Sequence, residues 1–319
     1  SYFFRKPFLH HYTDSTKNRV VRMIFGVVFA LVLAAASSPV LAKVEVKHEL
    51  GTAVVTKNPQ TVVVFDYAAL DSLDNMGIEI TGLPKASIPE YLSKFNDKKY
   101  VDVGTLFEPN FEKIYELRPD VIFISTRQAE VYPELARIAP TVYLTIDTSD
   151  FLGSFAANLR ILGEIFEQTE FIEAEIAGIE EEFAAVNAKI QELGAKGLLI
   201  MANDGALSAY GPNSRFGVLH KEFGFPPADP NIEVANHGQN ISFEYLARIN
   251  PDYLFVIDRA ATVGGSISAQ QVLNNDIVKS LNAYKSDRII YLTSQVWYVA
   301  SGGLTGTKIM IEDIKQVFK

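Results

Sequence analysis

FEKIYELRPDVIFI (111–124) and FEYLARINPDYLFV (243–256) align without a gap at an offset of 132 residues. Both read F-E-x-(I/L)-x-x-(L/I)-x-P-D-x-(I/L)-F-(I/V), which is too many matches in register for chance. The pattern has a physical reading. Asn110 and Ser242 are good N-caps, so each unit opens a short helix. Leu117 and Ile249 are its last apolar positions. Pro119 and Pro251 stop it, because the residue before a proline avoids the helical region. Val121–Ile124 and 253–257 are near-continuous apolar runs, the pattern of parallel strands buried on both faces. Each unit is therefore helix, tight turn, buried strand.

Working outward, further strands are expected at 61–65, 142–144, 197–201 and 289–292. Helices are expected at 67–76, closed by Gly77, at 214–223, closed by Gly224, and at 304–318. Strand alternating with helix in both halves predicts two α/β lobes, each a Rossmann-like unit with a parallel central sheet. Between them, 151–193 is rich in Glu, Ala, Ile and Phe, has no proline and ends at Gly194. Its apolar residues repeat at helical spacing, and it lacks the Gly, Ser and Pro of a flexible hinge. One long, stiff α-helix joining the lobes is expected; a surface helix inside one domain is the plain alternative. The predicted organisation is 43–150 for the N-terminal lobe, 151–194 for the linker helix region and 195–319 for the C-terminal lobe.

The chain has 319 residues, 48% hydrophobic and 21% charged, which is ordinary globular composition. Net charge is −9, unlike a nucleic-acid binder, whose contacts need a basic face. With no cysteine, disulfides, thiolate chemistry, Cys-ligated metals and a Cys-linked lipid are excluded. The first 42 residues have the layout of a signal peptide: basic residues Arg5, Lys6, Lys17, Arg19 and Arg22, an uncharged MIFGVVFALVLAAA (23–36), then SSPVLA (37–42). The apolar run is shorter than the ~20 residues of a membrane span. Cleavage is expected after Ala42. Removing these five basic residues and the one acid, Asp14, takes the net charge from −9 to −13. An exported, untethered and non-membrane mature chain suits a periplasm of the Gram-negative type.

Sixteen residues beyond the phenylalanine of each repeat stands an arginine, Arg127 and Arg259. Each follows the C-terminal end of a buried strand, the edge where open α/β sheets bind ligands. Guanidinium is permanently charged and forks onto oxyanions or stacks on rings. Two such cations at equivalent positions of an acidic protein predict an anionic ligand in an interlobe cleft; solvated loop arginines are the bland alternative. YGPNSR (210–215) adds Arg215, expected in the first turn of the 214–223 helix, where the dipole mildly disfavours it. His237, in the polar loop ANHGQN (235–240), and Trp297 and Tyr298, in QVWYVASGG (295–303), are the other candidates at the cleft. A solvated loop histidine and a hydrophobic lid are their plain readings. Glu112 and Glu244 occupy identical repeat positions in the first helical turn, where the dipole alone explains a carboxylate. As a symmetric pair they could also dock onto a two-fold partner carrying basic groups.

Taken together, the two helix-Pro-Asp-strand units, YGPNSRFG (210–217), the His237 loop and WYVASG (297–302) resemble the periplasmic siderophore-binding proteins of ABC importers, over 44–319. This is the class III fold, two α/β lobes joined by a single long helix, and the similarity is greatest to the ferric catecholate branch. The resemblance implies that Arg127, Arg215 and Arg259 hold catecholate oxygens. It implies that His237 and Tyr298 ligate Fe(III) where a siderophore supplies only four donors, and that Glu112 and Glu244 contact an inner-membrane ABC permease dimer. No permanent cofactor is implied, the Fe(III)-siderophore being cargo, and the protein is expected to be a monomer and not an enzyme. One position departs: the branch often has lysine three residues past the first cleft arginine, where Glu130 stands here, which would weaken a positive cleft.

Other cargoes on the same fold are haem, for which His and Tyr are suitable ligands, cobalamin or a hydroxamate siderophore. Bare zinc or manganese is disfavoured, because His48, His220 and His237 are far apart in sequence. A periplasmic hydrolase is a remote alternative: there is no Gly-x-Ser-x-Gly and no His-Glu-x-x-His, and a triad of Asp204, His237 and Ser301 has no spacing to support it.

Overall fold

A computed structural model describes residues 41–319 of the chain. All but the last two residues of the expected leader, 1–42, lie outside the described residues.

The repeated unit forms as its residues dictate. Asn110 caps helix α2 (Phe111–Leu117) by accepting from the Lys113 amide at 3.0 Å, and Ser242 caps helix α7 (Phe243–Ile249) by accepting from Tyr245 N–H at 3.1 Å. Both helices end on a left-handed residue, Arg118 (φ 48°) and Asn250 (φ 44°), just before the proline. Strands β6 (Val121–Ile124) and β11 (Tyr253–Asp258) follow. The shared aspartate has one task in both copies. Asp120 accepts from the Thr61 amide at 2.8 Å and the Gln60 amide at 3.0 Å, and Asp252 accepts from the Lys196 amide at 2.8 Å. Each thereby ties the start of its strand to the start of the neighbouring one, β3 (Val62–Val64) or β8 (Gly197–Asn203).

In the N-terminal lobe, β3 is followed by α1 (Tyr67–Asn75) and β4 (Gly82–Leu83), then β5 (Val101–Asp102), α2 and β6. Helix α3 (Tyr132–Ile138) and β7 (Thr141–Tyr143) complete a five-stranded sheet of order β5-β4-β3-β6-β7, parallel throughout. An antiparallel hairpin, β1 (Lys43–His48) with β2 (Gly51–Thr56), lies outside both central sheets. Val44, Val46, Ala53 and Val55 point inward at every second residue, as a one-sided hairpin requires.

The C-terminal sheet has order β10-β9-β8-β11-β12, with β12 at Ile289–Tyr291. Its β8–β11–β12 half is parallel, but β9 (Ala206–Tyr210) runs antiparallel to β8, and the edge strand β10 (Gln239–Ile241) antiparallel to β9. The reversal is the two-residue turn Asp204-Gly205, both at positive φ (48° and 90°), the backbone of a type I′ hairpin. The helix expected at 214–223 shrinks to α6 (Val218–Lys221), because the YGPNSRFG stretch turns on itself before any helix can start.

The expected linker is two helices. α4 (Phe151–Ile165) ends at a break where Glu167 has φ 53°, and α5 (Thr169–Leu193) is the long connecting helix. Twenty-five residues make α5 about 38 Å long. Its inner face, Ile172, Ile176, Ile179, Phe183, Val186 and Ile190, is buried at alternating four- and three-residue steps, and Gly194 closes it in the left-handed region. It is not the only crossing. After β12 the chain passes back, and its last long helix, α8 (Leu304–Lys315), packs on α1 of the first lobe and on α5. Asp71, in α1 and 1% exposed, caps α8 from the other lobe by accepting from the amides of Thr305 (3.0 Å) and Gly306 (2.7 Å). Ser72 accepts from Leu304 N–H at 3.2 Å. One buried apolar cluster therefore runs from Val62 and Phe123 through Ile176 and Leu304 to Leu199 and Phe255. No helix among the described residues is long and apolar enough to cross a membrane.

Candidate functional site: an arginine cleft

A cleft of about 1190 Å³ opens between the lobes. Its lining includes Arg127, Arg215, Arg259, His237 and Tyr298, contributed by both sheets and by the second crossing. Arg127 follows β6 in a short 3-10 helix, Thr126–Val131, whose capping box, Ser125 with Gln128, fixes the backbone. Arg259 leaves the end of β11. Its N–H bonds to the Ala202 carbonyl, and its guanidinium donates to Asn203 Oδ1 at 3.1 Å. Arg215 lies in the turn before α6, not in a helix, so its predicted conflict with a helix dipole does not arise.

All three guanidiniums converge on one residue. Arg127 and Arg215 donate to the Tyr298 carbonyl at 3.2 and 2.8 Å, and Arg259 donates through Nε to the Tyr298 hydroxyl at 3.0 Å. The Arg215 guanidinium also stacks at 4.7 Å from the ring centroids of both Phe216 and Tyr298. Tyr298 sits in a π-helical turn, Gln295–Val299, a geometry that recurs at functional sites. Among the described residues none of the three arginines has a carboxylate at ion-pair distance. Their hydrogen-bond acceptors are neutral, so no ion pair among the described residues neutralises them. Desolvation, and then the neighbouring Arg127, lower the pKa of Arg215. It remains a cation because the ordinary value is so high.

Asp66 also borders the cleft. It is the N-cap of α1, accepting from Ala69 N–H at 3.1 Å. Burial pushes its carboxyl up to about 6, against the pull of the Ala69 and Ala68 amides and of Arg127. At neutral pH it is therefore mostly ionised and offsets part of the positive field, an offset that fades as pH falls below about 6.

His237 lies at the same cleft, exposed on the 235–238 turn, and makes no hydrogen bond to Tyr298. Trp297 also borders the cleft. It is 2% exposed, its indole N–H donates to Asp313 Oδ2 at 2.9 Å, and its ring packs 6.2 Å from that of Phe223. It anchors the turn that presents Tyr298. Asp313 holds the start of this crossing as well, accepting from the Thr293 amide and hydroxyl at 2.8 and 2.9 Å. Glu130 is exposed and is not part of the cleft lining, so the departure noted at this position does not add an acid to the cavity wall. Glu112 and Glu244 are exposed in the first turns of α2 and α7. His48 and His220 bond the carbonyls of Thr141 and Phe225 and are structural. Among the described residues no group of three or more His, Asp or Glu side chains is placed to hold a metal ion. Sequence reasoning missed Asp66, Asp71, Asn203 and Asp313. None of them belongs to a spaced motif, and only Asp66, a polar residue just before a helix, carried a local signal.

Comparison with known proteins agrees with this geometry. The family model described as Periplasmic binding protein matches residues 62–296. The petrobactin-binding protein YclQ of Bacillus subtilis is 48% identical over 278 residues, covering 86% of this chain and 87% of that protein. Its crystal structure superposes with a TM-score of 0.84, covering 86% of this chain and 98% of that one. The ferric-anguibactin-binding protein FatB of Vibrio anguillarum is 34% identical, covering 86% of this chain and 88% of its own length. The periplasmic catecholate-siderophore binding protein VctP of Vibrio cholerae is 36% identical with a TM-score of 0.82, covering 86% of this chain and all of that one. With two α/β lobes, one long connecting helix and a cleft walled by both, the chain belongs to the periplasmic binding protein family and is a binding protein, not an enzyme.

Proposed function

We propose that the cleft captures a ferric siderophore of the catecholate type and that the protein delivers it to an inner-membrane ABC permease dimer. The observation that carries this reading is the set of three guanidiniums, from both lobes, none of them ion-paired with a carboxylate among the described residues. A ferric catecholate is an anion with flat aromatic arms. Guanidinium bonds its oxygens and stacks on its rings. The names of YclQ, FatB and VctP, which bind petrobactin, ferric anguibactin and catecholate siderophores, support the same class of cargo.

In this reading iron arrives with the cargo. Where the siderophore supplies only four oxygens, His237 and Tyr298 fill the two remaining sites of six-coordinate Fe(III); a hexadentate siderophore needs neither. Trp297 fixes the turn that presents Tyr298 and adds its ring to the cleft wall. Glu112 and Glu244, one on each lobe, meet basic groups of the permease. The mature chain, from Lys43, acts as a monomer in a periplasm of the Gram-negative type.

The test is a titration of the purified protein with ferric catecholates, followed by quenching of Trp297, the only tryptophan of the chain. Saturable quenching is expected. Glu112→Lys combined with Glu244→Lys is expected to leave that titration unchanged and to abolish uptake in cells that depend on this protein. Absence of quenching by any ferric catecholate removes the reading.

A further inference from the structure

We propose that the Tyr210 hydroxyl is a ligand-binding donor, reserved for an anionic oxygen of the cargo held beside Arg215 and Arg259. This rests on the reading of the cleft as a siderophore site and adds to it a residue from the wall itself.

The placement follows from strand geometry. Side chains of a strand alternate between its two faces. On β9, Ala206, Ser208 and Tyr210 line the cleft, while Leu207 and Ala209 pack into the apolar layer behind the sheet. Tyr210 is thus part of the cleft by register. It is 1% exposed, with its ring edge-on to Phe216 at 4.8 Å between centroids. The backbone of Gly238 closes over the phenol end: a Cβ there would come within 2.8 Å of Tyr210 Cε2 and Cζ, and Gly238 has φ 71°. The turn that carries His237 therefore lies directly on this ring.

In spite of that enclosure the hydroxyl has no hydrogen-bond partner among the described residues. Four buried side-chain atoms share this condition: Tyr91 Oη, Tyr210 Oη, Glu222 Oε2 and Thr307 Oγ1. Only Tyr210 belongs to the cleft lining. An orphaned hydroxyl costs stability, and phenylalanine would fill the same space without that cost. Burial pushes the phenol up to about 12, against the electrostatic pull of Arg215 and Arg259. At neutral pH the group is therefore an uncharged O–H in a positive field. Guanidiniums repel a donor's proton and attract an acceptor's lone pair, so the partner that satisfies all three groups is an oxygen with negative charge. A catecholate or carboxylate oxygen of the siderophore has that chemistry; a neutral carbonyl has less of it.

The experiment compares wild type with Tyr210→Phe in two measurements, urea denaturation without ligand and titration with Fe(III) 2,3-dihydroxybenzoate by Trp297 quenching. The expected result has opposite signs: unliganded Tyr210→Phe is at least as stable as wild type, and it binds the ferric catecholate at least tenfold more weakly. Equal affinity overturns the proposal. A less stable unliganded variant also overturns it, because the hydroxyl then serves the fold. If Tyr210→Phe retains wild-type affinity while wild type binds well, only this inference fails. If wild type takes up no ferric catecholate, the reading of the cleft fails and takes this inference with it.

Discussion

In the N-terminal sheet β6 lies between β3 and β7, and every neighbour in the sheet is parallel. In the C-terminal sheet β11 lies between β8 and β12 in the same way, but the turn at Asp204-Gly205 then adds the antiparallel strands β9 and β10. The two halves share a unit of helix, proline, aspartate and strand down to the hydrogen bonds of Asp120 and Asp252. They diverge in what the added strands carry. The first lobe gives the cleft one arginine, Arg127. The second gives Arg259 from the repeat itself, and Tyr210, Arg215 and His237 from the added hairpin and its loops. The repeat sets the frame and one charge per lobe, whereas the antiparallel edge supplies the chemistry that distinguishes one anion from another.

If the lobes are unequal in this sense, removing their arginines has unequal effects. The double variant Arg215→Ala with Arg259→Ala is expected to weaken ferric catecholate binding by ~10²–10⁴-fold, and Arg127→Ala alone by ~10–10²-fold, from about 1.5–3 kcal/mol per hydrogen bond to a charged group. Calorimetric titration of the three proteins decides; equal losses would mean that the lobes contribute equally.

A second asymmetry concerns Asp66, which caps α1 in the first lobe beside the cleft. Its native pKa of about 6 stands above its unfolded value of 3.8. Between those values the native state holds more protons than the unfolded state, so its contribution to stability is greatest below about pH 4 and declines as pH rises to 6. Wild type should therefore lose stability relative to Asp66→Asn by roughly 1–3 kcal/mol between pH 4 and pH 7. Asparagine caps a helix equally well. Urea unfolding at both pH values measures the difference, and a flat difference would mean that the carboxyl titrates normally.

The smallest contrast is between the paired aspartates. Asp120 accepts from two amides and Asp252 from one. Asp120→Ala is expected to cost about 1 kcal/mol more than Asp252→Ala, the net value of one additional hydrogen bond. Denaturation midpoints check it, and the reverse order would show that the two copies of the repeat are anchored by other contacts.

The repeat was legible because proline, aspartate and a buried strand each leave a mark on local sequence. The three arginines were legible for the same reason, since they follow strands or a turn motif at fixed distance. Trp297 was legible as an aromatic beside Tyr298, but its anchor was not, because Asp313 lies sixteen residues on. The break between α4 and α5 at Glu167 had no glycine or proline to announce it. The β8–β9 hairpin did carry a signal, Asp-Gly at 204–205, a strong short-range mark of a tight hairpin. Asp71 was invisible in sequence because its partners, Thr305 and Gly306, are more than 230 residues away.

That last contact has a bearing on how the molecule is made. Since α8 seats on α1, the first lobe lacks one of its own walls until a segment more than 230 residues further along the chain has docked. Its buried carboxylate has to wait for that docking before the two amides satisfy it. Cutting the gene between the sheets should accordingly yield a first half with an open apolar flank and a second half with a loose tail. Mixed together, such fragments would have to find each other before either could be called finished.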